Sequence, residues 1–292
     1  MLLSAYPMAQ KYLDYKKLNL KSFVLGSYIF KNGKQSCIGD PLRDVSLLWP
    51  TLSSSIGSFS DKLKVFKMFG EGEAVVPKNG IQEIPNQLLS RLNRSSIKYK
   101  HNVDIVKEHA IVFRDGSEVE FDYCIVATEA SAIIPNMANA VNGWKSTQTL
   151  YFEVDTSTVF SKHMIGLLAH TNEVFINSIS FPFSENQPNK LLSVSVIKQH
   201  NFNEGELVKR ITDELKSHFN ITIIQHLKTY NIKKALPNLD TVSCSVYPSE
   251  MQLTNSIYLA GDTLLNGSLN AAMLSGELAA KAIHEKITEY VG

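Results

Sequence analysis

One stretch near the end of the chain restricts the fold more than any other: Ser256-Ile-Tyr-Leu-Ala-Gly-Asp262, a link from Thr263 to Asn266, then Gly267-Ser-Leu-Asn-Ala-Ala-Met-Leu-Ser-Gly-Glu-Leu-Ala-Ala-Lys-Ala-Ile283. It reads as strand, acidic turn, helix. Ile257 to Ala260 is short and apolar, as a buried strand of an α/β sheet is, and Gly261 lets the chain turn without a Cβ clash. Beyond the turn, Ala271, Ala272, Ser275, Gly276, Ala279 and Ala280 recur at near-helical spacing, so one helix face can approach a flat partner closely. Ser268 or Asn270 is the expected cap. A helix start carries unpaired N–H groups and partial positive charge, which suits an electron-rich carbonyl or a phosphate. Asp262, at the carboxyl end of the strand, is placed to accept hydrogen bonds from sugar-like hydroxyls.

Length allows two domains or one large one, since 292 residues bury a core without staples. The 29 basic and 28 acidic residues nearly cancel, so no global pull toward nucleic acid or anionic membrane is expected, and no nucleic-acid partner. Cys37, Cys124 and Cys244 are far apart and lack metal-ligand spacing, which fits inert thiols in a reducing cytoplasm. The eight histidines form no His-Glu-x-x-His pair, so no metal site is expected. No apolar run approaches the roughly 20 residues of a membrane-spanning helix.

Taken in order, the chain offers a helix over Met8 to Leu18, a strand over Phe23 to Phe30, a hairpin turn at Lys31-Asn-Gly-Lys34 and a second strand through Ser36 and Ile38. Asp40-Pro41 closes it. Val45 to Leu63 reads as helical or loop segments broken at Pro50 and Gly57. Gly70-Glu-Gly72 opens a possible dinucleotide fingerprint, but Val75 occupies the third glycine position and a helix precedes it, so it is expected to be a loop. A helix over Ile81 to Leu92 leads into strands at Ile97 to Val106, Ala110 to Phe113 and Val119 to Phe121, with a turn at Asp115-Gly116. The run Asp122-Tyr-Cys-Ile-Val-Ala-Thr128 ends this β-meander. Thr149 to Phe152, Val174 to Asn177 and Leu191 to Ile197 read as strands of a larger antiparallel sheet. Glu204 to Phe219 is an amphipathic helix, with Ile211, Leu215 and Phe219 inward and Lys209, Arg210, Asp213 and Glu214 on a solvated face.

The C-terminal stretch resembles the flavin-binding motif of the amine oxidase, phytoene desaturase and protoporphyrinogen oxidase superfamily through Gly261-Asp262, Ser268, Ala272, Ser275-Gly276 and Ala279-Ala280. Ala271 stands where that superfamily usually has glycine. The succession from Pro77 to Thr128 resembles its second cofactor-domain segment, ending in Asp-x-x-Ile-x-Ala-Thr. The resemblance implies a mixed α/β (α+β) fold, with a partial Rossmann-like, NAD(P)-binding-like FAD domain interleaved with a substrate domain of antiparallel sheet and helices. The implied parts are substrate domain at 1–70, FAD domain at 71–148, substrate domain again at 149–238, and a C-terminal FAD-domain strand and helix at 239–292. Implied cofactor contacts are Val103 through its backbone near the adenine, Ala127 and Thr128 at the crossing strand, and Gly261, Asp262, Ser268, Leu269, Asn270, Ala271 and Ala272 at the strand–helix turn.

The activity so implied is hydride transfer from an amine or an unsaturated carbon skeleton to FAD in a cytoplasmic oxidoreductase, and no catalytic side chain is singled out. The superfamily begins with a βαβ unit bearing a Gly-rich pyrophosphate loop, and none of the 15 glycines here supplies that fingerprint. The resemblance therefore covers nearly all of this chain but only the later part of a full-length member, as expected of a truncated chain or of one whose missing half comes from a second chain. The alternative is a non-catalytic binding or partner subunit that does not hold flavin by itself.

Overall fold

The computed structural model describes residues 2–24, 26–31, 34–39, 48–53, 72–135, 143–155, 164–168, 174–182, 191–238 and 245–291. In chain order its strands are β1 (Leu2–Leu3), β2 (Leu20–Val24), β3 (Gly26–Lys31), β4 (Lys34–Gly39), β5 (Ala74–Pro77), β6 (Val103–Val106), β7 (Ala110–Phe113), β8 (Glu118–Glu120), β9 (Cys124–Val126), β10 (Trp144–Val154), β11 (Met164–Leu168), β12 (Ile176–Ser180), β13 (Leu191–Val196), β14 (Ile223–Pro237) and β15 (Ile257–Leu259). The two long helices are Glu204–Phe219 and Leu269–Val291. Helix and sheet are mixed, and most strand pairs are antiparallel.

The chain divides into two compact units. One comprises Met1–Tyr6, Asp14–Ile84 and Lys145–Ala235; the other comprises Pro7–Leu13, Pro85–Trp144 and Leu236–Gly292.

The first unit is built on a seven-stranded sheet of order β14-β10-β13-β12-β11-β3-β4. Alternation explains why it folds as it does. Leu150, Phe152 and Val154 of β10 and Leu192, Val194 and Val196 of β13 all point to one face and are essentially fully buried. Leu207, Ile211, Leu215 and Phe219 of the Glu204–Phe219 helix fill that face, giving one continuous apolar cluster. Each such side chain removed from water contributes about 2 kcal/mol. Asn203 caps the helix by accepting from the Glu206 N–H at 3.0 Å, while the Glu206 carboxylate accepts from the Asn203 N–H at 2.9 Å. Asn220 ends it in the left-handed conformation, φ 53°.

Several of the sequence expectations fail for local reasons. The Met8–Leu18 helix is two, Pro7–Tyr12 and Tyr15–Leu18, because the Asp14 carboxylate accepts from the Lys16 and Lys17 N–H groups and starts a new helix. The single strand expected over 23–30 is β2 and β3 in different sheets, with β2 pairing β5 and β3 pairing β4. Pro50 lies in the first turn of the helix Leu48–Ser53, where its missing N–H costs nothing, so it does not break it. Glu214 is not on a solvated face. It is 4% exposed, and its carboxylate accepts from the N–H groups of Phe175 at 3.0 Å and Ile176 at 3.0 Å and from Arg210 Nε at 2.9 Å. The 32–33 hairpin tip, Asp40-Pro41, the stretches 45–47 and 54–63, Gly70-Glu71, and Cys244 lie outside the described residues. Gly72 is described and is needed as glycine: φ is 144°, and a Cβ there would come within 2.6 Å of Ala5 Cβ.

The second unit holds the β6-β7-β8 meander, closed by Gly116 at φ 83°, and a two-stranded sheet in which β9 and β15 run parallel. The helix Glu83–Leu89, continued by turns to Leu92, crosses from one unit to the other and is shorter than the expected 81–92. The strand expected from Ile97 starts only at Val103, behind Lys100 at φ 61°. The Leu269–Val291 helix packs Leu278, Ala279 and Ala282 against Met251, Tyr258 and Ala260. At its other side, Pro7–Tyr12 is tied down: Glu277 accepts from Lys11 Nζ at 2.6 Å and from the Tyr12 hydroxyl at 2.7 Å, and pairs with Lys281 at 2.6 Å.

Candidate cofactor site

All ten residues proposed from the sequence fall in the second unit. β9 and β15 align in parallel with Ile257 beside Cys124, Tyr258 beside Ile125 and Leu259 beside Val126. The Ala260 N–H then donates to the Val126 carbonyl at 3.0 Å, so Ala127-Thr128 and Gly261-Asp262 leave the sheet side by side at the carboxyl ends of their strands. In open parallel sheets that end is where ligands bind. Ala127 and Thr128 are exposed there, and Asp262 is half-buried. Val103 lies on β6 of the meander. It packs with Val106 against Val126 and Ile257, supporting the two strands from the meander side.

The strand is held in register by a polar cluster ahead of it. The Glu108 carboxylate accepts from the Thr254 hydroxyl at 2.9 Å and from the Ser256 hydroxyl at 2.8 Å and N–H at 3.1 Å. These bonds, the Thr254 hydroxyl foremost, hold the Glu108 carboxyl below its ordinary value. Cys124 on β9 is a half-buried free thiol, and burial pushes its pKa up, away from the reactive thiolate.

After β15 the backbone does something only glycine tolerates. Gly261 sits at φ 149°, ψ 168°, a region essentially closed to residues with a Cβ. Its N–H donates to Ser275 Oγ at 2.8 Å, and the same hydroxyl donates to the Ala272 carbonyl at 2.9 Å. Ser275 is fully buried, so it locks the turn onto the helix. The sequence reading placed Ser275 among the small residues of the helix face and in the motif, without a hydrogen-bonding role; the signal for that role was a hydroxyl among alanines on the packed face.

Ser268, not Asn270, caps the Leu269–Val291 helix. Its Oγ accepts from the Ala271 N–H at 3.1 Å and its carbonyl from the Ala272 N–H at 3.0 Å. Asn270 Oδ1 instead accepts from the Met8 N–H at 3.0 Å, which leaves Asn270 its donors, the backbone N–H and the Nδ2 amide, for a ligand. Ala271 is packed inward at 1% exposed, and Ala272 is half-buried. Among the described residues, the N–H groups of Leu269 and Asn270 and the Asp262 carboxylate have no hydrogen-bond partner. A carboxylate and two amides without partners, on either side of the Thr263–Ser268 link, are a donor–acceptor set for a ligand carrying both hydroxyls and an electron-rich oxygen. Two surface depressions, of about 440 Å³ around Gln148, His200 and Asn231 and about 740 Å³ around Glu108 and Glu120, are lined by other residues.

A sequence profile described as flavin containing amine oxidoreductase matches residues 25–284. The chain belongs to that family. Its class is therefore that of flavin-containing oxidoreductases. Solved structures of like fold include the CLA-producing fatty acid isomerase from P. acnes, 11% identical with a TM-score of 0.65, the match covering 96% of this chain and 85% of that one. Cyclohexylamine oxidase from Brevibacterium oxydans IH-35A is 10% identical with a TM-score of 0.65, over 98% of this chain and 87% of that one. Reduced UDP-galactopyranose mutase is 13% identical with a TM-score of 0.57, over 81% and 60%. At such identities these likenesses establish the fold alone. No curated protein sequence matches the chain. No helix among the described residues is long and apolar enough to cross a membrane.

Proposed function

We propose that the chain is part of an FAD-dependent oxidoreductase that takes a hydride from an amine or an unsaturated carbon skeleton. The observation that supports this best is that Asp262, just past the paired carboxyl ends of two parallel strands, and the Leu269 and Asn270 amides that follow in the chain have no partner among the described residues. The donor set fits FAD: Asp262 accepts from ribityl or ribose hydroxyls, and the helix start faces an oxygen that gains negative charge. When bound, the flavin supplies the electron sink, and the protein supplies binding, orientation and electrostatics. Gly261 and Ser275 hold the turn in the one conformation that leaves Asp262 free. Ala127-Thr128 forms the adjoining wall, and the strands rest on Val103 and Val106.

The second unit is then the Rossmann-like cofactor domain and the seven-stranded sheet the substrate domain. The pyrophosphate end of FAD requires a glycine-rich loop that these residues do not contain, so a further polypeptide segment or a partner chain completes the site. The substrate is small and apolar or an amine, matching what putrescine oxidase and cyclohexylamine oxidase are named for.

The test is flavin retention. Purified chain, alone and fused behind a strand–Gly-x-Gly-x-x-Gly–helix segment, is examined for bound flavin by its visible absorption. Retention by either form is the expected result; absence from both overturns the assignment and leaves a non-catalytic partner subunit. In a retaining form, Asp262→Ala weakens FAD binding by about tenfold, the worth of one charge-assisted hydrogen bond. Unchanged affinity removes Asp262 from the site.

A further inference from the structure

Away from the cofactor turn, the second unit carries a concentration of positive charge that its fold does not use. Residues 91–101 read Arg-Leu-Asn-Arg-Ser-Ser-Ile-Lys-Tyr-Lys-His, with four permanent cations and no acidic residue, in a chain whose net charge is only +1. The backbone runs through successive turns, Arg91 N–H to the Leu88 carbonyl, Ser96 N–H to Asn93 and Ile97 N–H to Arg94, so the stretch is ordered and lies on the surface. Arg91, Arg94, Lys98 and Lys100 are all exposed, and among the described residues none of them forms an ion pair. The Arg114 N–H donates to the Asn102 carbonyl at 2.9 Å, bringing a fifth exposed cation alongside. The nearest acid on that strand turn, Asp115, is engaged by the Ser117 N–H and hydroxyl and lies close enough to feel His101.

The same surface exposes large apolar side chains: Leu89 at 36%, Leu92 at 59% and Tyr99 at 68%. Like charges crowded into eleven residues repel, and aliphatic side chains held in water cost free energy. One kind of surface relieves both costs, a negative one with an apolar layer beneath it. A nucleic acid offers phosphates to the cations and a base to the Tyr99 ring, yet gives Leu89 and Leu92 nothing. The acyl boundary of a bilayer takes all three, and tyrosine belongs at the headgroup level.

We propose that residues 89–101 form a contact surface for an anionic phospholipid leaflet, with Arg91, Arg94, Lys98 and Lys100 on the headgroup phosphates and Leu92 and Tyr99 entering the interface. Through this surface the chain lies on such a membrane.

Co-sedimentation with vesicles tests the proposal. The chain pellets with vesicles of phosphatidylcholine mixed with phosphatidylglycerol and stays in solution with phosphatidylcholine alone. Raising salt weakens the binding, because the exposed cations act within one Debye length. The triple variant Arg94→Gln, Lys98→Gln, Lys100→Gln binds mixed vesicles about a hundredfold less tightly. Leu92→Ser with Tyr99→Ser lowers affinity at every salt concentration, which a purely electrostatic contact would not. All five positions are exposed, so an unchanged circular dichroism spectrum and unfolding midpoint accompany each variant. Equal binding to neutral vesicles, binding unaltered in the triple variant, or binding of a single-stranded oligonucleotide without binding of mixed vesicles overturns the proposal; the last result assigns the surface to nucleic acid.

Discussion

The two long helices make opposite use of their N-termini. Glu204–Phe219 begins with every device a scaffold helix has: Asn203 and Glu206 satisfy each other's backbone, acidic residues sit in the first turn, and the apolar face is buried on the sheet. Leu269–Val291 begins with a serine cap that serves Ala271 and Ala272 and leaves the Leu269 and Asn270 amides free. Its buried face mixes the small Ala271, Ser275, Ala279 and Ala282 with Leu278, where the other presents leucine, isoleucine and phenylalanine. A helix that only has to hold a sheet closes its ends. On the proposed reading the other helix would receive a ligand at its start, where the neighbouring turn is held by the Ser275 hydroxyl.

That contrast can be broken at several points. The largest effect is expected at Glu214, whose removal leaves the Phe175 and Ile176 amides without their acceptor in a buried place. Glu214→Ala should lower unfolding free energy by about 3 kcal/mol in chemical denaturation, without changing flavin affinity under folding conditions. A loss of flavin affinity as large as the loss of stability would erase the distinction between the helices. Ser275→Ala comes next. It deprives Gly261 of its acceptor, so stability should fall by about 1 kcal/mol while FAD binding, read by fluorescence quenching, falls as well. An intact flavin affinity would show that the turn keeps its shape unaided.

The smallest effect is one of pH. Glu277 has a carboxyl held down from 4.5 to about 2, chiefly by its bonds to Lys11, Lys281 and Tyr12. Its folded pKa lies below its unfolded one, so the stabilisation is fully present above about pH 4.5 and disappears as pH falls toward 2. With Lys11 half in solvent, the pair is screened and its contribution to stability is small. The pH dependence of stability in Glu277→Gln should therefore be flatter than in the parent between these values, as thermal unfolding across that range would show.

Much of this was legible in the residues. The strand, turn and helix from Ser256 onward follow from an apolar run, one glycine and an alanine-rich period, all of them local signals. Glu204–Phe219 was readable to its ends because its cap, period and left-handed stop lie within the segment itself. β11 was not foreseen, because a central strand takes its identity from neighbours distant in the chain, here β3 and β12. The parting of β2 from β3 likewise depends on β5 and β4, which claim the two halves for different sheets.

Sequence alone thus determined where the strand, turn and helix from Ser256 onward lie and why the turn needs glycine, since φ, capping and helical period are properties of a few consecutive residues. Tertiary structure decided the rest. The Ser275 hydroxyl is a tether only because Gly261 is folded onto it, Asn270 is an anchor only because Met8 reaches it, and Glu214 is buried only because β12 lies across its helix. Each of these roles belongs to a pair of residues separated along the chain, and such pairs exist only once the chain has packed.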